Sequence, residues 1–341
     1  MAEGFNTRIL LAARPDGMPR QTDFRFDTAS IPEPGEGQVL IKILYLSLDP
    51  YMRGRMSAEK SYAAPVEVGA VMEGGTVGQV IRSRYPGLAE GDLVLSHSGW
   101  QTHAVANGAG LRKLDPAAAP PSTALGVLGM PGFTAYAGLL TLGQPKPGET
   151  VVVAAASGAV GSVVGQIARI KGARAIGIAG GPEKCAYVHD ELGFDAVVDH
   201  RAPDFAAQLA AACPAGIDVY FENVGGAVWD AVFPLLNTFA RIPVCGLIAQ
   251  YNLGPAVFDG PDRLPGLMRA ILTKSLTLRG FIQREFADQF PAFHAEASRW
   301  IAEGRLKYRE DIVDGLENAP RAFVDLLNGR NFGKLLIRVA A

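Results

Sequence analysis

The segment VVVAAASGAVGSVVGQIAR, from Val151 to Arg169, constrains the fold of this chain more than any other stretch. The nineteen residues from Thr150 to Ala168 carry no formal charge, which is long enough for a membrane-spanning helix. However, Gly158 and Gly161 interrupt the run directly after a short apolar stretch typical of a buried parallel strand. We therefore interpret the segment as a strand, a tight turn and a helix rather than as a membrane span.

Helical spacing resumes after the glycines. Gly172 is a suitable C-terminal cap for a helix that begins near Gly161. The apolar positions that recur at this spacing are Val160, Val163, Val164, Ile167 and Ile170.

The turn between strand and helix carries a dinucleotide-binding pattern in which alanine replaces the first glycine. Gly158 lets the backbone approach a pyrophosphate, and Gly161 lets the helix pack closely against the strand. The helix N-terminus then offers free N–H groups to the anion. The alternative is a purely structural glycine turn, but the strand–turn–helix context favours nucleotide binding.

Composition narrows the class of protein. With 341 residues, 48% of them hydrophobic and 19% charged, the chain is expected to form two domains with large cores. A net charge of −2 gives no electrostatic basis for nucleic acid or an anionic membrane as a partner. The N-terminal residues lack the apolar core of a signal peptide, and the three cysteines are isolated, so a cytoplasmic location is expected.

The residues before the glycine turn are predicted to form a small β-barrel or sandwich. Four short strand-like runs are punctuated by Gly, Pro and Asp: residues 37–47, 76–83, 92–97 and 100–106.

The residues after the turn alternate between strand-like and helical patterns. This alternation predicts a doubly wound parallel sheet of the Rossmann type. SLTLRGFI, residues 275–282, is expected to be its last strand. The C-terminal FGKLLIRVA is also strand-like and is expected to return to the first domain.

Six ordered motifs together resemble one family. The chain is similar to the zinc-independent branch of the medium-chain dehydrogenase/reductase superfamily, which contains alkenal double-bond reductases, leukotriene B4 dehydrogenase/prostaglandin reductase and curcumin reductase. The motifs are LSLDPYMRGRM (46–56), GMPGFTAYAGL (129–139), AAASGAVGSVVGQIA (154–168), EKCAYVHDELGFD (183–195), IDVYFENVGG (217–226) and GRNFGKLLIRV (329–339).

The resemblance implies a mainly-β GroES-like domain, residues 1–128 and 307–341, and a Rossmann NADP-binding domain, residues 129–306. It also implies that the chain reduces the C=C bond of α,β-unsaturated ketones and aldehydes by hydride transfer from NADPH to the β-carbon. We expect no zinc site, because catalytic zinc needs about three protein ligands and residues 1–150 contain no cysteine.

The preference for NADP(H) is predicted to depend on the residues after ARAIGIAG. An NAD enzyme has an acid at the end of this strand that binds the ribose hydroxyls, whereas this chain continues with Gly180-Gly181-Pro182 and only then Glu183 and Lys184. By resemblance, Lys184 contacts the 2′-phosphate. His200 stands where the family has a tyrosine near the same phosphate, and Arg201 is a possible substitute for it.

Other cofactor contacts are expected at strand ends of the parallel sheet. The residues assigned to the cofactor by the turn and the resemblance are Gly158, Ala159, Val160, Gly161, Asn223, Cys245, Gly246, Tyr251, Phe281, Ile282, Gln283 and Asn331. The alternative for Asn223 is a turn-forming asparagine.

The reaction needs a donor to the substrate carbonyl oxygen, where negative charge develops. Tyr251 is the first candidate and Tyr51 the second, since a phenol donates without being ionised at neutral pH. Each is alternatively an aromatic packing residue, and the ribose hydroxyl of the cofactor is an alternative donor.

Two other functions remain open at this point: an NADPH quinone oxidoreductase, and a catalytically silent nucleotide-binding protein. The resemblance also implies a homodimer formed through the last strand, near residues 275–282, because an exposed edge strand must be paired or covered.

Overall fold

The computed structural model describes residues 4–253 and 263–340, and the following elements belong to those ranges. The strands are β1 (Phe5–Leu11), β2 (Phe24–Ser30), β3 (Gln38–Ser47), β4 (Thr76–Ser83), β5 (Leu93–Ser96), β6 (His103–Asn107), β7 (Arg112–Leu114), β8 (Thr150–Ala154), β9 (Arg174–Ala179), β10 (Ala196–Asp199), β11 (Ile217–Phe221), β12 (Leu236–Val244), β13 (Thr277–Gly280), β14 (Glu310–Asp314) and β15 (Lys334–Arg338). The α-helices are α1 (Met52–Arg55), α2 (Met130–Ala137), α3 (Gly161–Ile170), α4 (Pro182–Ala186), α5 (Phe205–Ala212), α6 (Gly226–Val232), α7 (Leu264–Lys274), α8 (Phe290–Ala302) and α9 (Ala319–Leu327).

The chain forms two compact units. The first contains residues up to Gly126 and from Glu310 onward, and the second contains Val127–Arg309. The boundaries expected from the sequence, 128/129 and 306/307, lie within three residues of these divisions.

The first unit is built on β-sheets, as its sequence pattern predicts. One sheet has the order β14-β15-β3-β4-β5-β7, with β6 also pairing with β3, and β1 pairs with β2 in a separate hairpin. The C-terminal strand β15 pairs antiparallel with β3, so the end of the chain does return to the first unit. The expected strand over residues 100–106 begins only at His103, because Gln101 instead makes an isolated bridge to Arg8.

The second unit contains a six-stranded sheet in the order β10-β9-β8-β11-β12-β13, and every pair in it is parallel. Counted from β8, this is the strand order 3-2-1-4-5-6 of the doubly wound dinucleotide-binding fold. The sequence prediction of such a sheet is confirmed, and β13 is its edge strand.

β8, the first strand of this sheet in the sequence, is buried along its whole length. All five residues of TVVVA are buried, because neighbouring strands flank β8 on both sides. The helix after the turn, α3, buries Val163, Val164 and Ile167. In the part of the chain that the structure describes, no helix has the length and apolarity needed to cross a membrane.

One predicted helix is shorter than its pattern suggests. AVWDAVFPLLN was expected to be helical throughout, but α6 ends at Val232 and a 3-10 turn covers Phe233–Leu235. Leu236 already begins β12, because Pro234 cannot continue the hydrogen-bond ladder of an α-helix.

Candidate functional site

The turn between β8 and α3 has a geometry that requires glycine. Ala155 adopts a left-handed conformation with φ of 52°, and the Gly158 N–H donates to its carbonyl oxygen at 2.9 Å. A Cβ atom at Gly161 would lie 2.3 Å from the same oxygen, which no side chain tolerates. The pattern Gly158–Gly161 is therefore a consequence of how tightly the chain reverses here.

The same turn presents free backbone donors. Among the described residues, the N–H groups of Ala159, Val160 and Gly161 have no hydrogen-bond partner. They precede or begin α3, a helix of ten residues, so its positive end lies beside them. Free N–H groups at a helix N-terminus form an anion site, and this one fits a pyrophosphate.

The end of β9 is surrounded by basic side chains. A Cβ atom at Gly180 would lie 2.7 Å from His200 Nε2 and 3.0 Å from Arg201 Nε, so both groups reach the glycine backbone. Lys184 lies in α4, after Pro182 and Glu183, and its charge acts on the His200 ring. The structure therefore brings Lys184, His200 and Arg201 together around Gly180.

Asp199 shapes this cluster although the sequence patterns did not indicate it. Its Oδ1 accepts the N–H groups of Gly181 and Arg201, both at 2.9 Å. Desolvation opposes its ionisation, but these two donors and the neighbouring positive charges outweigh it and lower the pKa of the Asp199 carboxyl. The carboxylate thus fixes the backbone at Gly181 and Arg201.

His200 is biased toward its neutral form. The residue as a whole is exposed, but desolvation of its imidazole lowers the pKa of that ring, and the charge of Arg201 lowers it further. Lys184 and Arg201 therefore carry the positive charge of the cluster at neutral pH, while His200 offers a neutral ring.

Another group of predicted residues follows β11 and β12. The Asn223 side chain donates through Nδ2 to the Ala154 carbonyl oxygen at 2.9 Å, which ties the end of β11 to the end of β8. The Tyr251 hydroxyl accepts the Leu247 N–H at 3.3 Å. A Cβ atom at Gly246 would lie 3.0 Å from that hydroxyl oxygen.

The predicted cofactor residues after β13, Phe281 to Gln283, differ from one another in burial. Phe281 is 6% exposed, and its ring packs edge-on against Phe221 with a centroid distance of 6.1 Å. Its side chain is therefore core packing. Ile282 and Gln283, where a 3-10 turn begins, are only partly buried.

Tyr51 and Asn331 belong to the first unit. Burial, followed by the negative charges of Asp49 and Glu73, raises the pKa of Tyr51, so its phenol keeps its proton and is a donor. The Arg55 guanidinium carbon lies 5.7 Å from the centre of the Tyr51 ring. The Asn331 side chain donates to the Gly333 carbonyl oxygen at 2.9 Å within its own loop.

The structure thus gathers the predicted turn, the basic cluster and Asn223 along the carboxyl edge of one sheet. Sequence reasoning missed two residues there, Asp199 and the buried Glu222. Glu222 lies inside the FENVGG motif, which is the one signal that could have indicated it. Over residues 4–253 and 263–340, no three His, Cys, Asp or Glu side chains are grouped as a metal ion would require.

Comparison with known proteins gives matches over both units. Residues 7–114 match a family model described as the N-terminal domain of oxidoreductase, and residues 159–299 match one described as zinc-binding dehydrogenase.

Individual proteins are similar over nearly the whole chain. NADPH-dependent curcumin reductase of Escherichia coli is 56% identical over 336 residues, covering 98% of this chain and 97% of the relative. The 2-alkenal reductase (NADP(+)-dependent) of Nicotiana tabacum is 39% identical, with 98% of each chain covered. The crystal structure of CurA from Vibrio vulnificus in complex with NADPH is 53% identical, covers 98% of this chain and 99% of its own, and superimposes with a TM-score of 0.95.

Proposed function

The chain belongs to the curcumin reductase and alkenal reductase branch of the medium-chain dehydrogenase/reductase family, and we propose that its substrates are small to medium apolar enones and enals. It is an NADP-dependent oxidoreductase that acts on conjugated C=C bonds. The similarity to reductases of this kind extends over both units, so both the cofactor-binding and the substrate-binding parts are represented.

One structural observation carries the cofactor part of this proposal. The end of β9 lacks the acid that binds ribose hydroxyls in NAD enzymes, and Lys184, His200 and Arg201 surround Gly180 instead. A 2′-phosphate bears about two negative charges. It is therefore a better ligand for this cluster than a ribose diol is.

The residues of the chain bind and orient the reactants. The free N–H groups of Ala159, Val160 and Gly161 hold the pyrophosphate, and the basic cluster holds the 2′-phosphate. When bound, NADPH supplies the hydride that reduces the β-carbon of the substrate, while a proton from water reaches the α-carbon and NADP⁺ is formed.

The protein also stabilises the charge that develops on the substrate carbonyl oxygen. We assign this role first to Tyr251 and then to Tyr51. The Tyr251 hydroxyl accepts the Leu247 N–H, and a phenol that accepts one hydrogen bond can also donate one. Tyr51 keeps its proton at every physiological pH, because burial and two nearby carboxylates disfavour the phenolate.

The decisive experiment measures NADPH oxidation by the purified protein on a graded panel of enals, enones and quinones, with NADH as the alternative cofactor. We expect turnover of enals and enones with a strong preference for NADPH. Faster turnover of quinones than of enones would favour the quinone oxidoreductase alternative. Tight binding of NADPH without any turnover would favour the silent nucleotide-binding protein.

We further propose that the protein is a homodimer. Among the described residues, β13 pairs only with β12, and three apolar side chains of α7, the helix that precedes it in the chain, are exposed at four-residue spacing. Leu264, Met268 and Leu272 are 59%, 57% and 81% exposed. A second copy that pairs with β13 would cover this stripe, and a monomer in light scattering at micromolar concentration would refute it.

A cytoplasmic location is the last part of the proposal. Cys185, Cys213 and Cys245 are free thiols, as is usual for proteins of a reducing compartment. A cell fractionation that recovers the enzyme outside the cytoplasm would refute this part.

A further inference from the structure

Glu222 is a buried carboxyl group that the proposed chemistry does not use. It follows β11 directly and is 2% exposed. Its Oε1 atom accepts three hydrogen bonds: from the Tyr220 hydroxyl at 2.9 Å, from the Val224 N–H at 2.7 Å and from the Gly225 N–H at 2.9 Å. One oxygen therefore holds the first residues of the loop after β11.

The main chain of the same residue holds a second loop. The Glu222 carbonyl oxygen accepts the N–H groups of Cys245 at 2.9 Å and of Gly246 at 3.1 Å, both in the loop after β12. Asn223, the next residue, bonds to Ala154, the last residue of β8. Residues 222 and 223 thus connect the loops after β11 and β12 to the end of β8.

The loop after β11 is not a conformation that the chain adopts easily. Gly225 and Gly226 have φ values of 76° and 56°, so two consecutive residues are left-handed. Two consecutive glycines can adopt many other backbone conformations, since glycine is the most flexible residue. The Oε1 atom of Glu222 selects one of them by accepting the N–H groups of two consecutive peptides, Asn223–Val224 and Val224–Gly225.

We infer that Glu222 is a positioning residue whose side chain fixes the loop after β11 in the shape that receives the nicotinamide half of the cofactor. In a sheet of this order, the half that contains β11, β12 and β13 receives one mononucleotide and the half that contains β8, β9 and β10 receives the other. The basic cluster at Gly180 lies on the second half. Glu222 therefore acts on one half of the cofactor and leaves the other half unaffected.

The second oxygen supports a role beyond simple packing. Glu222 Oε2 is buried and, among the described residues, has no hydrogen-bond partner. Burial raises the pKa of Glu222, although the donors on Oε1 oppose it. A buried carboxyl group with one unpaired oxygen lowers the stability of the folded protein. This cost indicates that Glu222 serves the shape of the loop after β11 rather than the stability of the fold.

The inference rests on the proposed NADPH dependence, so the test separates the two. Wild-type enzyme and the variants Glu222→Ala, Glu222→Gln and Tyr220→Phe are compared for binding of NADPH and of adenosine 2′,5′-bisphosphate. The bisphosphate carries the 2′-phosphate and adenosine but no nicotinamide. Glu222→Gln keeps an acceptor oxygen in the place of Oε1, whereas Tyr220→Phe removes one partner from the buried pair without changing the acceptor for the two loop N–H groups.

We expect Glu222→Ala to weaken NADPH binding by about tenfold or more, the loss of one to two net hydrogen bonds. We expect a fall in kcat as well, with binding of the bisphosphate unchanged. Glu222→Gln should restore NADPH binding to near the wild-type value. Tyr220→Phe should lower the melting temperature and leave NADPH binding unchanged.

Equal losses for NADPH and the bisphosphate in Glu222→Ala would overturn the inference, because the effect would then be on the whole fold. So would unchanged NADPH binding in a folded Glu222→Ala variant. If this variant does not fold, Glu222→Asp replaces it and should show the same selective loss, since the shorter side chain withdraws Oε1 from the loop. A wild-type protein that binds neither compound would overturn the proposed function instead.

Discussion

The basic cluster at the end of β9 allows a quantitative prediction about cofactor choice. Lys184→Glu replaces a cation with an anion beside His200 and Arg201, at the place where we assign the 2′-phosphate. The variant should bind NADPH much more weakly and use NADH almost as well as before. NADH has a hydroxyl group at this position, so it loses no charged partner.

The expected size follows from the kind of contact. A hydrogen bond to a charged group contributes about 1.5–3 kcal/mol, which corresponds to about a 10- to 150-fold change in affinity. The introduced carboxylate adds repulsion, so the upper half of this range is expected. Arg201→Ala should give a smaller change, because its exposed guanidinium is screened by solvent. His200→Ala should give the smallest, since the His200 ring is biased toward neutrality.

The assay is steady-state kinetics with NADPH and with NADH at a saturating enone concentration. The apparent KM for NADPH should rise while kcat at saturation changes little, as expected when a mutation removes binding that ground and transition states share. Arg299→Glu is the matched control, because it makes the same change of charge on α8, where no cofactor residue is assigned. Equal use of NADH and NADPH by the wild type, or an unchanged cofactor ratio in Lys184→Glu, would refute the assignment.

Four further predictions follow from other parts of the molecule. Leu272→Lys should shift the protein from dimer to monomer in light scattering, whereas Val68→Lys, a control at another exposed apolar position in the first unit, should not; a dimeric Leu272→Lys protein contradicts the assigned interface. Tyr251→Phe should lower kcat by up to about 10²- to 10³-fold, the usual effect of removing one such donor, and Tyr51→Phe by less; unchanged kcat in both variants would leave the donation to the cofactor ribose. Chelators should leave activity intact, and stoichiometric zinc that is lost together with activity would contradict zinc independence. Burial raises the pKa of Glu222, so the stability that its protonated carboxyl group contributes to the folded state is present below about pH 4.3 and is lost as pH rises through the folded-state pKa. Glutamine does not titrate, so the melting temperature of Glu222→Gln should rise relative to that of the wild type from pH 5 to 8. Parallel curves of melting temperature against pH would contradict this.

Much of the second unit could be predicted because its central strands, β8, β9 and β11, are almost wholly buried. A fully apolar run such as TVVVA, followed by a glycine turn and a helical pattern, leaves few other structures. The first unit was less predictable. In β2, FRFDTAS, the alternation of apolar and polar residues ends after Asp27, so the run is a weak strand signal, and only Phe24 is buried. The predicted start of β6 was three residues early because Trp100 is core packing, stacked on Phe24, and not part of the strand.

In the candidate site, residues within one local motif could also be predicted from the sequence, whereas contacts between separate segments could not. Gly158, Gly161 and Lys184 could be found from the sequence, since each lies within a local motif whose spacing has a physical meaning. Asp199 and Glu222 act through backbone N–H groups of other residues, and those contacts exist only after β9, β10, β11 and β12 are aligned. An acidic side chain at a strand end is ambiguous in a sequence, because it can bind a ribose, cap a loop or face solvent. Here Asp199 is close to the basic cluster, but its carboxylate accepts hydrogen bonds from the backbone N–H groups of Gly181 and Arg201. Because its Oδ1 atom holds the backbone, we propose that the preference for NADPH depends on where this acid directs its oxygen atoms as well as on the presence of Lys184.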